Sequence, residues 1–221
     1  MCAIFQTMRR MPNRLTRQLN LFQPQYEFTQ EIYPGQDCGL LFSKPDQTEI
    51  EWRSVKFGMV PKWAKNLDIC KATYNARTET VAQKPSFKHA WSQGQFALIP
   101  VDLIYEPRYI NGQAQRWGIF RQDREAFSIA AIYENAIING QQIRSMSMLT
   151  INADQHPLMS QFHQSQDEKR SIIVIPEHLR HDWLHCKPHQ APEFFQGLSD
   201  EFTAEYMPPV TVSDLQNRLD L

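Results

Sequence analysis

Between residues 96 and 152 four apolar runs follow one another at hairpin spacing: 96–106 (FALIPVDLIYE), 116–121 (RWGIFR), 126–134 (AFSIAAIYE) and 143–152 (IRSMSMLTIN). The breaks after the first and third runs contain Asn111-Gly112 and Asn139-Gly140. Asn-Gly places two successive residues that tolerate positive φ, which a tight hairpin turn requires. A chain with this pattern is expected to fold around an antiparallel sheet, and its other segments must fit that sheet's edges and faces. Further strands are expected at 2–7 (CAIFQT), 48–60, 171–175 and near 209–213. Helices are expected at 12–21, where Leu15 and Leu19 stand at i, i+4, at 78–92 in two pieces broken by Pro85 and capped by Thr78, and at 177–186. Short helical pieces are expected within 192–206, while 22–46 and 64–77 read as loop, the former with one brief strand. The expected class is α+β: a curved, mostly antiparallel β-sheet or open barrel with peripheral short helices. Prolines and glycines mark turns rather than a boundary, so a single domain over 2–213 and a C-terminal tail over 214–221 are expected.

Composition narrows the chemistry. Hydrophobic residues form 42% of the 221, which argues against global disorder. Net charge is -1, so any nucleic-acid contact must come from a local basic face. The cysteines, Cys2, Cys38, Cys70 and Cys186, are scattered without a Cys-x-x-Cys pair. That spacing argues against a structural zinc site and a disulfide framework, and no metal or other cofactor is expected. No apolar run approaches the ~20 residues of a membrane helix, and the apolar patch at the N-terminus precedes its charges, the reverse of a signal peptide. These features point to a cytoplasmic, nucleoid-associated protein without a membrane partner. Nothing demands a dimer, so a monomer is expected. The sequence lacks Gly-x-Ser-x-Gly, His-Glu-x-x-His, Walker A and Gly-x-Gly-x-x-Gly motifs, which withdraws the usual support for hydrolase, metalloprotease and nucleotide-binding readings.

Five residues stand in settings suited to chemistry. Cys2 follows the initiator methionine. Once Met1 is removed, it carries an α-amine beside a thiol, with ordinary pKa values near ~8 and ~8.5. Such an aminothiol condenses with an aldehyde to an imine, and sulfur then closes a thiazolidine ring. Asn75-Ala76-Arg77 is expected to lead from a loop into a helix, where free N–H groups and the guanidinium suit phosphate; the alternative is a capping amide and a solvated arginine. Glu106 ends an apolar run, where burial is expected to raise a carboxyl pKa and suit it to proton transfer. His163 lies in a polar loop as a proton shuttle, with His156 as a competing candidate. Basic and aromatic residues interleave over 52–91, Lys62 and Trp63 among them. Single-strand binding uses that mixture, as do core aromatics flanked by solvated lysines.

Taken in order, Met1-Cys2, Phe57-Gly58-Met59-Val60-Pro61-Lys62-Trp63-Ala64, Asn75-Ala76-Arg77-Thr78-Glu79-Thr80, Leu98-Ile99-Pro100, Tyr105-Glu106 and Met159 to His163 resemble the SRAP family (SOS response-associated peptidase) over about residues 2 to 210. The resemblance implies a covalent sensor of abasic sites in single-stranded DNA. By it, Cys2 is the nucleophile and Asn75 positions the Cys2 amine. Arg77 holds a DNA phosphate, Glu106 moves protons during imine formation and ring closure, and His163 assists sugar ring opening and reversal. The chain departs from the family pattern at Ala3-Ile4, where Gly-Arg is usual, at Phe57, at Pro107, and at Arg170-Ser171-Ile172, which stands where Arg-Met-Pro is usual. The expectation is retained chemistry on a modified binding surface. Two alternatives stay open: a self-processing peptidase with an N-terminal cysteine, and a single-strand or junction-binding module without chemistry.

Overall fold

The structure, a computed structural model, describes residues 3–8, 31–43 and 49–209. The expected helix at 12–21, most of the strand expected near 209–213, the tail 214–221 and Cys2 lie outside the described residues. The strands are β1 (Ile4–Thr7), β2 (Glu31–Ile32), β3 (Asp37–Ser43), β4 (Ile50–Phe57), β5 (Asn75–Arg77), β6 (Phe96–Ile110), β7 (Gln113–Arg121), β8 (Phe127–Ile138), β9 (Gln141–Asn152), β10 (Arg170–Ile172) and β11 (Phe202–Tyr206). The helices are α1 (Lys88–Ser92) and α2 (Arg180–His185). The architecture is mostly sheet with few, short helices, as expected. Strands β9, β4, β3, β6 and β8 pair in a closed circuit. The pairings of β9 with β4 and β5 are parallel and the others antiparallel, so the sheet is mixed.

The two Asn-Gly turns behave as their chemistry requires. Asn111 and Gly112 have φ of 51° and 76°, and Asn139 and Gly140 have 50° and 79°. Each joins two strands in register, Ile110 to Gln113 and Ile138 to Gln141.

The ring strands are covered on both faces. Their inward side chains, among them Leu40, Phe42, Phe57, Ile99, Ile129, Tyr133 and Met148, form one core. The opposite side chains, Leu41, Leu98, Ile132 and Leu149, pack under Trp183 and Leu184 of α2 and Ala90 of α1. Double coverage explains why β3, at seven residues, is more than the one brief strand expected within 22–46. Six of its seven residues are buried, so it shows no polar–apolar alternation. Gly39 interrupts it because a Cβ there would come within 2.3 Å of the Trp52 ring.

Four further expectations are corrected. Residues 78–84 form hydrogen-bonded turns, and helix is confined to Lys88–Ser92. Asn75–Arg77 is a strand rather than a helix start, since Thr78 stays attached to β9 through Thr78 N–H to the Thr150 carbonyl at 3.0 Å. The Thr78 hydroxyl also donates to that carbonyl, at 3.3 Å, instead of capping a helix. Within 192–206 a short 3₁₀ turn at Ala191–Phe194 gives way to β11, which pairs with β7. Residues 207–209 are irregular, and the rest of the strand expected near 209–213 lies outside the described residues. Finally, β6 runs on to Ile110, so Glu106 sits inside a strand and not at its end.

Candidate active site

Side chains alternate along β6, so Glu106 shares a face with Ile104, which belongs to the core inside the ring. The carboxyl is 1% exposed. A carboxyl buried so deeply requires a polar partner, and His163 Nε2 stands 3.1 Å from Glu106 Oε2.

The loop that brings His163 there is tightly tied. Phe162, beside it, is anchored in the core. His163 takes a left-handed backbone with φ 62°. Its N–H donates to the Pro107 carbonyl at 2.7 Å, linking it to the strand that carries Glu106. The Lys169 ammonium then donates to the carbonyls of Phe162 at 2.8 Å, His163 at 3.3 Å and Gln164. Burial, with the neighbouring Lys169 charge adding to it, pushes the His163 pKa down to about 4. The imidazole is therefore neutral near pH 7. A neutral ring 3.1 Å from a carboxyl brings together two groups of the kind that general acid–base chemistry uses.

His156, the competing candidate, is fully used in structure. Its Nδ1 accepts the N–H groups of Leu158 and Met159, both at 3.1 Å, so Nε2 carries the proton and donates to the Leu198 carbonyl at 2.8 Å.

Asn75 and Arg77 lie on one face of β5, with Ala76 buried on the other. Arg77 Nη1 pairs with Glu168 Oε2 at 2.7 Å. Glu168 belongs to the same loop as His163 and Lys169, so the strand carrying Asn75 and Arg77 and the loop carrying His163 are joined by this contact. Buried Arg170 closes the arrangement, with bonds to both oxygens of Glu79 at 2.9 Å and to Glu168 at 2.9 Å.

Cys2 lies outside the described residues, but its setting in the chain is informative. Ile4, the first residue of β1, pairs with Tyr105, immediately before Glu106. Ile4 packs on Leu103, Tyr105 and Phe120, which accounts for an apolar residue where the family pattern has arginine. The other three cysteines are free thiols removed from nucleophilic use. Burial raises the pKa of Cys38 far above its usual range, raises that of Cys70, and pushes Cys186 up to about 12.

Lys62 and Trp63 make contacts of their own. They belong to a second cluster: Trp63 Nε1 donates to the Pro85 carbonyl at 3.3 Å, and Lys62 Nζ lies 3.1 Å from His89 Nε2. The Trp63 side chain remains 58% exposed, in keeping with a surface contact role.

Two contributors went unnoticed in the sequence. Lys169 works through backbone carbonyls, which no residue pattern records. The His89–Glu134 pair spans 45 positions and has no local signature. No group of His, Cys, Asp and Glu side chains among the described residues could hold a metal ion.

Comparison with known proteins completes the site's setting. A family model described as SOS response associated peptidase (SRAP) matches residues 1–218. The chain is 25% identical over 207 residues to the abasic site processing protein YobE of Bacillus subtilis, covering 92% of this chain and 90% of that protein. It is 24% identical over 150 residues to the abasic site processing protein HMCES of Xenopus tropicalis, covering 64% of this chain and 44% of that one. Among solved structures, a Bordetella bronchiseptica protein superimposes with a TM-score of 0.82 at 28% identity, covering 93% of this chain and 99% of its own.

Proposed function

The chain belongs to the SOS response associated peptidase family, and from that premise we propose that it captures abasic sites in single-stranded DNA through Cys2 once Met1 has been removed. The observation that carries this reading is the buried Glu106–His163 pair at 3.1 Å, placed beside the point where the N-terminal strand enters the sheet. Cys2 precedes Ile4 by two residues, a reach of at most about 7 Å, and Ile4 is paired with the neighbour of Glu106. The names of YobE and HMCES, as abasic site processing proteins, support the substrate class.

The chemistry follows from the groups. The ring-opened deoxyribose presents an aldehyde. The Cys2 amine adds to its carbon, the carbinolamine oxygen takes up a proton, and water leaves to give an imine. The thiol sulfur then adds to the imine carbon and its proton passes to nitrogen, closing a thiazolidine. The net loss is one water, and no oxidant or metal takes part. Glu106 supplies and recovers protons at the carbinolamine and imine stages. His163, neutral near pH 7, takes the sugar hydroxyl proton on ring opening and returns it when the link is reversed. Asn75 orients the amine and Arg77 holds a phosphate beside it. Exposed Trp63 and Lys62 offer a stacking face and a cation to the strand.

The test is a denaturing gel of protein incubated with a single-stranded oligonucleotide bearing one abasic site. The wild type gives a slow-migrating adduct and Cys2→Ala gives none. Cys2→Ser, which keeps the amine, gives only an imine that requires borohydride trapping. An undiminished adduct from Cys2→Ala would remove the reading.

A further inference from the structure

Two guanidinium groups converge on one carboxylate in this protein. Glu168 Oε2 lies 2.7 Å from Arg77 Nη1, and Glu168 Oε1 lies 2.9 Å from Arg170 Nη1. Two anionic oxygens bridging two arginines form the arrangement in which a phosphodiester's non-bridging oxygens are held. Here the seat is filled by a side chain of the protein itself. The two arginines depend on it unequally. Arg170, 1% exposed, keeps both oxygens of Glu79 and the Thr150 carbonyl without Glu168. The Arg77 and Glu168 side chains are 47% and 37% exposed, so their contact faces solvent.

We propose that Glu168 is an internal stand-in for a DNA phosphate on Arg77, and that single-stranded DNA enters this site by exchanging its phosphodiester for the Glu168 carboxylate. This rests on the reading of Arg77 as a phosphate-holding residue. The exchange sets specificity. A lone phosphate gains little by displacing a carboxylate already in place, whereas a strand that makes further contacts elsewhere overcomes the competition. The displaced carboxylate also belongs to the loop whose backbone Lys169 ties at residues 162–164. Arrival of the strand at Arg77 is thereby felt at the loop that carries His163.

The experiment is a double-mutant cycle on binding of an intact, fluorescein-labelled oligothymidylate, read by anisotropy across a salt series. Glu168→Gln binds about two- to fivefold more tightly than the wild type, the range expected for freeing a solvent-facing ion pair. Its log affinity–log salt slope steepens by up to about 0.7, one phosphate's share on a single strand. In an Arg77→Ala background the same change has no effect on affinity, because the seat has lost the arginine it blocked. Glu168→Ala reproduces the gain and guards against an effect peculiar to the amide. Equal gains with and without Arg77 would reduce Glu168 to general repulsion and overturn the proposal. So would the absence of any gain, or a failure of all the proteins to bind the strand. Adduct formation with an abasic oligonucleotide is scored alongside: its absence throughout would remove the abasic-site reading, while the coupling on intact DNA still decides the role of Glu168.

Discussion

Among the described residues two buried carboxylates stand against histidines, and their surroundings differ. Glu134, on β8, receives His89 Nδ1 at 2.6 Å on one oxygen and the Asn135 N–H at 3.0 Å on the other. The remaining His89 nitrogen lies 3.1 Å from the Lys62 ammonium, which can only donate. The tautomer is therefore fixed: Nε2 accepts from Lys62 and Nδ1 donates to Glu134. The His89 side chain is 45% exposed and sits on regular helix. Glu106 and His163, by contrast, are both buried, and the histidine is carried by a left-handed residue that an ammonium clamps through its carbonyls. Lys62–His89–Glu134 is a brace whose bonds are assigned to structure. Glu106–His163 is a buried pair at 3.1 Å whose histidine takes a backbone conformation that L-residues seldom adopt. A carboxylate–histidine contact alone does not mark a catalytic site. Burial of both partners and a constrained backbone beside the N-terminal strand are the features on which the proposed role of Glu106–His163 rests.

Exchanging the two carboxyls one at a time should separate the pairs most widely. Glu106→Gln is expected to slow adduct formation by about 100-fold or more, the scale of a lost general acid–base group. Glu134→Gln should leave the rate within twofold while lowering the thermal midpoint. Equal rate losses from both would erase the distinction, and single-turnover kinetics with an abasic oligonucleotide measure it.

The next contrast is between the histidines. His163→Asn, whose amide tolerates the left-handed backbone, should slow both formation and reversal of the adduct by about tenfold or more. His89→Asn should alter neither. A reversal rate that His163→Asn leaves untouched would take the histidine out of the chemistry.

Lys169→Met sharpens the same comparison without touching the reacting groups. Loosening the His163 loop is expected to cost about tenfold in rate, since small misplacements of catalytic groups are costly. Circular dichroism should be unchanged, and sodium acetate or ammonium ions should not restore activity. A wild-type rate would show that the Lys169 bonds hold the loop for stability alone.

The smallest effect concerns acid. The folded-state pKa of His163 is depressed to about 4, against about 6.5 in an unfolded chain. Between these values the unfolded state binds the extra proton, so stability is fully present above about pH 6.5 and is lost as pH falls towards 4. The thermal midpoint should drop over that window, and less steeply in His163→Asn. Parallel pH profiles for the two proteins would mean that the ring is not held neutral by the fold.

How much of this could be read from the residues follows from which interactions are local. The hairpins were legible because Asn111-Gly112 and Asn139-Gly140 solve a backbone problem where they stand. Strand β3 was legible only as one brief strand within 22–46, because coverage of both its faces removes the alternation that identifies strands. Asn75–Arg77 was misread as a helix start because its partner, β9, lies more than 70 positions away. At the site, Glu106 and His163 were named from residue type and family order, yet their contact joins positions 57 apart and depends on a left-handed turn the sequence does not announce. The seizure of Arg77 by Glu168 required the fold.

The account stands or falls on the intact mass of the native protein before and after incubation with an oligonucleotide carrying a single abasic site. The account predicts a starting mass lacking Met1 and a product equal to protein plus oligonucleotide minus one water, stable to denaturation. A protein that retains Met1 yet forms the same product, or one that lacks Met1 and gains no mass, would contradict it.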